Sequence, residues 1–120
     1  MHTSISNFKL ISAATTNITL VKAGNDVRLR GVCVSSINAA ARYLKFFDLA
    51  ATASLTLGTT VPDLTLIIPG AAAGAGIAYN FPDEGVPFRN GIVIATTTEI
   101  TTAGTTAVSA SEHSIQISYQ

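Results

Sequence analysis

Apolar and polar residues alternate over short runs along this chain, and Gly, Pro, Asn or Asp separates one run from the next. A period of two marks strands with one face buried, and β-branched and aromatic residues favour that state. Ile5 to Ile11 puts Phe8 and Leu10 on one side. Asn17 to Lys22 puts Ile18 and Leu20 on one side. Asp26 to Ile37 begins with Val27 and Leu29 on one face and Arg28 and Arg30 on the other, then loses phase at Gly31. A β-bulge at Gly31 accounts for the break. Ala41 to Ala50 is apolar on both faces, with Leu44 and Phe46 on one and Tyr43, Phe47 and Leu49 on the other. That reads as a central strand or one whose outer face is covered.

Leu64 to Ile68, Gly76 to Phe81, Gly91 to Glu99 and Ser114 to Gln120 complete the set, the last with Ile115, Ile117 and Tyr119 inward. No long window carries a helical period. About eight short strands with regular turns predict an all-β, single-domain fold over residues 1–120. It is a two-layer β-sandwich, jelly-roll or immunoglobulin-like in topology.

Composition changes this picture in one respect. Only 12% of the residues are charged, and Ala and Thr supply 34 of the 120. Typical soluble domains carry about 25% charge. A surface with so few ions loses little hydration when another molecule covers it, so the composition points to an assembly. The net charge of zero argues against a nucleic-acid binder, which needs a basic face. The charges divide along the chain. Residues 1–60 hold six basic and two acidic residues, and residues 61–120 hold one basic and five acidic. If the halves were also spatial halves, copies could pack with opposite potentials facing.

Candidate chemistry is sparse. Cys33 is alone, so no disulfide framework is read. His2 and His113 are far apart and lack a metal-ligand spacing. No nucleophile turn is present. Asp83 and Glu84 are adjacent, so on an extended chain they point apart rather than converge as an acid–base pair. The glycine run containing Gly70, Gly74 and Gly76 lacks the Lys-Ser/Thr of a phosphate loop and reads as a surface loop that lets another chain approach. No catalytic residue, cofactor or metal site is expected. The N-terminus has no basic region followed by an apolar core, and no run spans a bilayer, so no secretory signal or membrane partner is expected. Asn17-Ile18-Thr19 fits the glycosylation pattern but is discounted without such a signal. Tyr43 and Phe47, four apart around Lys45, could form an aromatic platform for a glycan or base; an inter-sheet or inter-subunit contact explains them as well, and more commonly. Pro82 to Gly85 reads as a turn, with Asn90-Gly91 a tight reversal. Arg89 there is positioned to pair with Asp83 or Glu84, or to reach a neighbouring subunit.

The order of segments SAATTNITLVKAGNDVRLRGVCVSS, NAAARYLKFFDLA, LGTTVPDLTLIIPG, FPDEGVPFRNGIVIATTTEITTAGTTAVSA and IQISY resembles a family of small virion structural proteins of tailed bacteriophages and prophages. The likeness runs from about Ser12 to Tyr119 and departs from the family pattern at Ala51 to Leu57. It implies a non-enzymatic virion component made in the bacterial cytoplasm. The leading expectation is a capsid decoration or cement protein on the capsid exterior. It would bridge major capsid protein subunits, assemble as a homotrimer, and bind neither nucleic acid nor membrane. Expected contacts are Tyr43, Phe47, Gly70, Gly74, Gly76 and Arg89. The alternative is a tail, collar or fibre module binding host glycans through the aromatic face.

Overall fold

The computed structural model describes residues 5–24, 26–82 and 84–120. Nine strands form among the described residues: β1 (Ser6–Ile11), β2 (Thr19–Ala23), β3 (Val27–Ser36), β4 (Arg42–Phe47), β5 (Leu64–Ile68), β6 (Ala75–Asn80), β7 (Val86–Phe88), β8 (Gly91–Thr97) and β9 (His113–Tyr119). The one helical element among the described residues is a single 3-10 turn, Thr52–Ser54.

Every strand pair is antiparallel. Sheet A has the order β1-β9-β3-β6, with β7 on the same edge of β3 as β6, and sheet B has the order β2-β8-β4-β5. First pairs with last, β1 with β9; then β2 with β8, β3 with β6 and β4 with β5. The chain is thus one long hairpin whose two arms pair throughout and which rolls into two sheets, joined laterally by β3–β9 and β4–β8. That connectivity is a jelly roll and decides between the two topologies the alternation left open.

The core lies between the sheets. Leu29, Val32, Val34, Ile115 and Ile117 of sheet A meet Leu44, Phe46, Ile68, Ile92 and Ile94 of sheet B. Phe88 is buried, its ring 6.3 Å from that of Phe46. The expected bulge is present: β3 and β9 shift register between Leu29 and Gly31, and Leu29 and Val32 both point inward. On β2 the inward residue is Val21. Ile18 and Leu20, which alternation grouped together, are both exposed, and the register with β8 slips between Leu20 and Lys22.

The turns follow residue chemistry. Gly85 has φ +72, and its N–H donates to the Pro82 carbonyl. At Asn90-Gly91 only the glycine takes a positive φ, +146, rather than the pair. Gly91 sits where a Cβ would lie 2.5 Å from the Lys22 carbonyl oxygen and 2.7 Å from that of Leu49. Both the dihedral and the close approach therefore require glycine. Gly91→Ala should cost at least about 2 kcal/mol, with a lower chemical-denaturation midpoint as the readout.

Candidate interaction surface

The two sheets differ in what covers their outer faces. On sheet B, Phe47, Val93 and Ala95 are fully buried beneath Leu49, Leu55 and Leu57, from the segment after β4. Lys45, between Tyr43 and Phe47, is also fully buried, and its Nζ donates to the carbonyls of Thr101 (2.7 Å) and Gly104 (3.4 Å). Burial pushes its pKa down, and Glu99 partly opposes that. The strand read as central or covered is both. The aromatic platform does not exist, because Phe47 is 0% exposed and Tyr43 half-buried. A glycan cannot stack there, and Phe47 cannot touch a neighbouring subunit.

Sheet A has no such cover. Its outer face is built in rows across β1, β9, β3 and β6: Asn7–Ser118–Gly31–Asn80, then Lys9–Gln116–Cys33–Ala78, then Ile11–Ser114–Ser35–Gly76. Lys9 is the single formal charge in these rows. The small side chains leave shallow grooves, one of about 510 Å³ beside Ile11, Ser35, Gly76 and Ser114, another of about 330 Å³ beside Arg30, Asn80, Phe81 and Ser118.

The flank formed by β5 and β6 is still barer. Residues 64–82 contain no charged residue, and this segment supplies the edge strand of each sheet. Tyr79 joins the two edges, its hydroxyl donating to the Ile67 carbonyl at 2.8 Å. The opposite flank, β1 and β2, carries Lys9 and Lys22.

The expected glycine contacts divide. Gly70 is packed by its own chain: a Cβ there would lie 2.4 Å from the Ala40 carbonyl carbon. The close approach it permits is intramolecular. Gly74 is exposed with φ +105 and ends the turn into β6. Gly76 is exposed within β6. Arg89 is exposed. Glu84 pairs with Arg28, at 3.7 Å, rather than with Arg89; Asp83 lies outside the described residues.

The charge halves meet inside one molecule. Arg28 faces Glu84, Arg42 bonds Glu112, and Lys45 feels Glu99. Each basic residue comes from the first half and each acid from the second. The rolled hairpin lays one arm on the other, so much of the complementarity is used within the chain and is not left for pairing copies.

At the end of the sandwich below the larger groove lies a buried polar cluster that local pattern could not reveal. Ser12 Oγ donates to the Ser109 carbonyl and accepts from the N–H groups of Glu112 and His113. Glu112 accepts from Arg42 Nε at 3.2 Å and Asn38 Nδ2 at 2.6 Å. Burial raises the Glu112 pKa, but bonds from the Ser109 backbone and Asn38 and the charges of His113 and Arg42 outweigh it, leaving the pKa lowered. His113 is buried, and neither ring nitrogen makes a hydrogen bond; Nε2 lies 3.2 Å from Glu112 Oε1 without the necessary geometry. Burial lowers its pKa against the pull of Glu112, with Arg42 adding to the lowering. The bonds that tie this cluster together, from Ser12 to Glu112 and His113 and from Asn38 and Arg42 to Glu112, join residues seventy or more apart in sequence. Asn17 is likewise buried, its amide donating to Ala13, Thr15 and Thr96, so the folded chain does not offer it for glycosylation.

Among the described residues no three of His, Cys, Asp and Glu gather as a metal site, and no helix is long and apolar enough to cross a membrane. No family model matches the chain, and no curated protein matches it significantly.

Two outcomes are expected. Phe47→Ala should destabilise the isolated chain by about 3–5 kcal/mol, measured by denaturant unfolding, because it empties a filled site; unchanged stability would return Phe47 to the surface. The second concerns pH. A folded pKa below the ordinary 6.5 means that the unfolded chain binds the His113 proton more readily. That stability is present above about pH 6.5 and is lost as pH falls through the folded pKa. Glu112 adds a loss of the same sign below its ordinary 4.5. In unfolding titrations from pH 8 to 5, His113→Gln should flatten the decline seen in the native chain.

Proposed function

We propose that the chain is a non-enzymatic structural protein of a bacteriophage virion, a capsid decoration protein that strengthens the head by bridging major capsid protein subunits. One observation carries the reading. The uncovered face of sheet A and the β5–β6 flank form a broad surface that holds almost no formal charge. Ions lose their hydration when an interface closes, whereas small uncharged side chains and paired backbone can be covered at little cost.

The resemblance in segment order supports the same reading. The jelly roll is an architecture that viral capsid domains use, although architecture alone does not assign a role. The action would be adhesion. Each copy covers a junction between capsid subunits, and the apolar area removed from water, worth roughly 25 cal/mol per Å², opposes the outward pressure of packaged DNA. Multiplied over many copies, modest affinity per site suffices. The glycan-binding alternative loses its support with the loss of the aromatic platform.

Quantitative mass spectrometry of purified particles tests the proposal. The expected result is a copy number in proportion to the major capsid protein, together with earlier heat-induced DNA release from particles lacking the chain. One or a few copies per particle, or none, would overturn it.

A further inference from the structure

Edge strands present unpaired N–H and C=O groups, and natural proteins normally guard them with charge, proline, bulges or brevity. Three of the four edges here are guarded. β1 carries Lys9. β2 carries Lys22 and an irregular register. β5 has five residues between Asp63 and Pro69, and its Ile67 carbonyl is taken by Tyr79. The fourth, β6, reads AGIAYN. It has no charge and no proline, its register with β3 is regular, and Ile77 is 40% exposed.

The phase of the ladder fixes which groups β6 offers. The Phe81 N–H donates to the Arg30 carbonyl at 3.0 Å. Antiparallel pairs alternate between bonded and non-bonded, so Tyr79, Ile77 and Ala75 bond β3. Gly76, Ala78 and Asn80 then aim their N–H and C=O groups away from the sheet. These three positions are symmetric about Ala78. A second β6 laid antiparallel on a two-fold axis at Ala78 matches Gly76 with Asn80, Ala78 with Ala78, and Asn80 with Gly76. Every outward backbone group finds a partner. In the same register Ile77 falls opposite Tyr79 of the second copy, twice, in the non-bonded positions where side chains approach most closely. The exposed Ile77 is thereby covered by an aromatic ring. No like charges oppose, which a self-pairing edge would otherwise have to tolerate.

We propose that β6 is a self-association edge: two copies of this chain pair β6 to β6 about Ala78, joining their A sheets into one continuous sheet across a two-fold dimer. This replaces the trimer expected from the sequence and does not depend on the virion reading.

Analytical ultracentrifugation of the full chain, with amide hydrogen exchange, tests it. The native chain should form dimers in which the amides of Gly76, Ala78 and Asn80 are protected, with protection lost on dilution. Ala78→Pro removes only an outward N–H, which edge strands tolerate. It should leave the circular dichroism intact and weaken the dimer by at least about tenfold, as expected when backbone bonds at the axis are lost. Ala78→Lys, which sets two cations face to face, should do the same and serves if the proline variant fails to fold. A native chain that stays monomeric to roughly millimolar concentration, a trimer, fast exchange at those three amides within a dimer, or a folded variant that dimerises undiminished would each overturn the proposal.

Discussion

The structure depends on the pairing of the chain's two arms. β1 pairs with β9, more than a hundred residues away, and β9 takes β3 on its other edge. Neither sheet can be completed from one half of the sequence: sheet A draws on β1, β3, β6, β7 and β9, and sheet B on β2, β4, β5 and β8. Such non-local closure carries its loop entropy before contacts repay it. Strong β propensity in β8 and β9, dense in Ile and Val, is the local bias that offsets this. The Gly31 bulge belongs to the same constraint. It lets one long strand serve β7 at one end and β6 at the other while β9 runs along its far side.

The roll also explains the electrostatics. Opposed arms bring Arg42 to Glu112 and Arg28 to Glu84, so charge separated along the sequence is joined in space. The two pairs are not equivalent. Arg28 is half-buried and Glu84 exposed, and a pair so open to solvent contributes little. Arg42 and Glu112 are mostly buried, with Asn38 and the backbone completing the carboxylate's bonds. Removing one partner there would strand a buried charge, so the pair acts more to fix how the start of β4 meets the start of β9 than to add net stability.

What could be read from the sequence follows from the range of the cause. β5 and β9 were legible to within a residue because alternation is local, and the Gly31 bulge because a phase slip leaves a trace in the pattern. The face of β2 was not, because a second slip between Leu20 and Lys22 has no glycine to mark it. β7 escaped because three residues around Pro87 cannot show a period. That the outer face of β4 is covered was legible, but not what covers Lys45 and Phe47, because the cover comes from segments before β5 and after β8. The topology itself was beyond reach, since strand order is a statement about partners. Gly70, Gly74 and Gly76 were read as letting another chain approach, but pattern could not say that the backbone lying close to Gly70 and Gly76 is the chain's own, at Ala40 and Val34.

The asymmetry between the sheets then has a physical origin and a consequence. Sheet B is roofed because β4 and β8 place Phe47, Val93 and Ala95 outward, apolar groups unfavourable to leave bare, and the buried Lys45 beside them needs the carbonyls of Thr101 and Gly104. The loops around Leu55 and Thr101 are committed to covering them. Sheet A places Ser, Gly, Cys, Asn and Gln outward, side chains that tolerate water and need no roof. The chain therefore keeps one face exposed and almost uncharged. A surface that is stable when exposed and inexpensive to cover can be occupied reversibly. The β5–β6 flank extends that property to the sheet edge, where Tyr79 closes the gap between layers while leaving the outward backbone of β6 open.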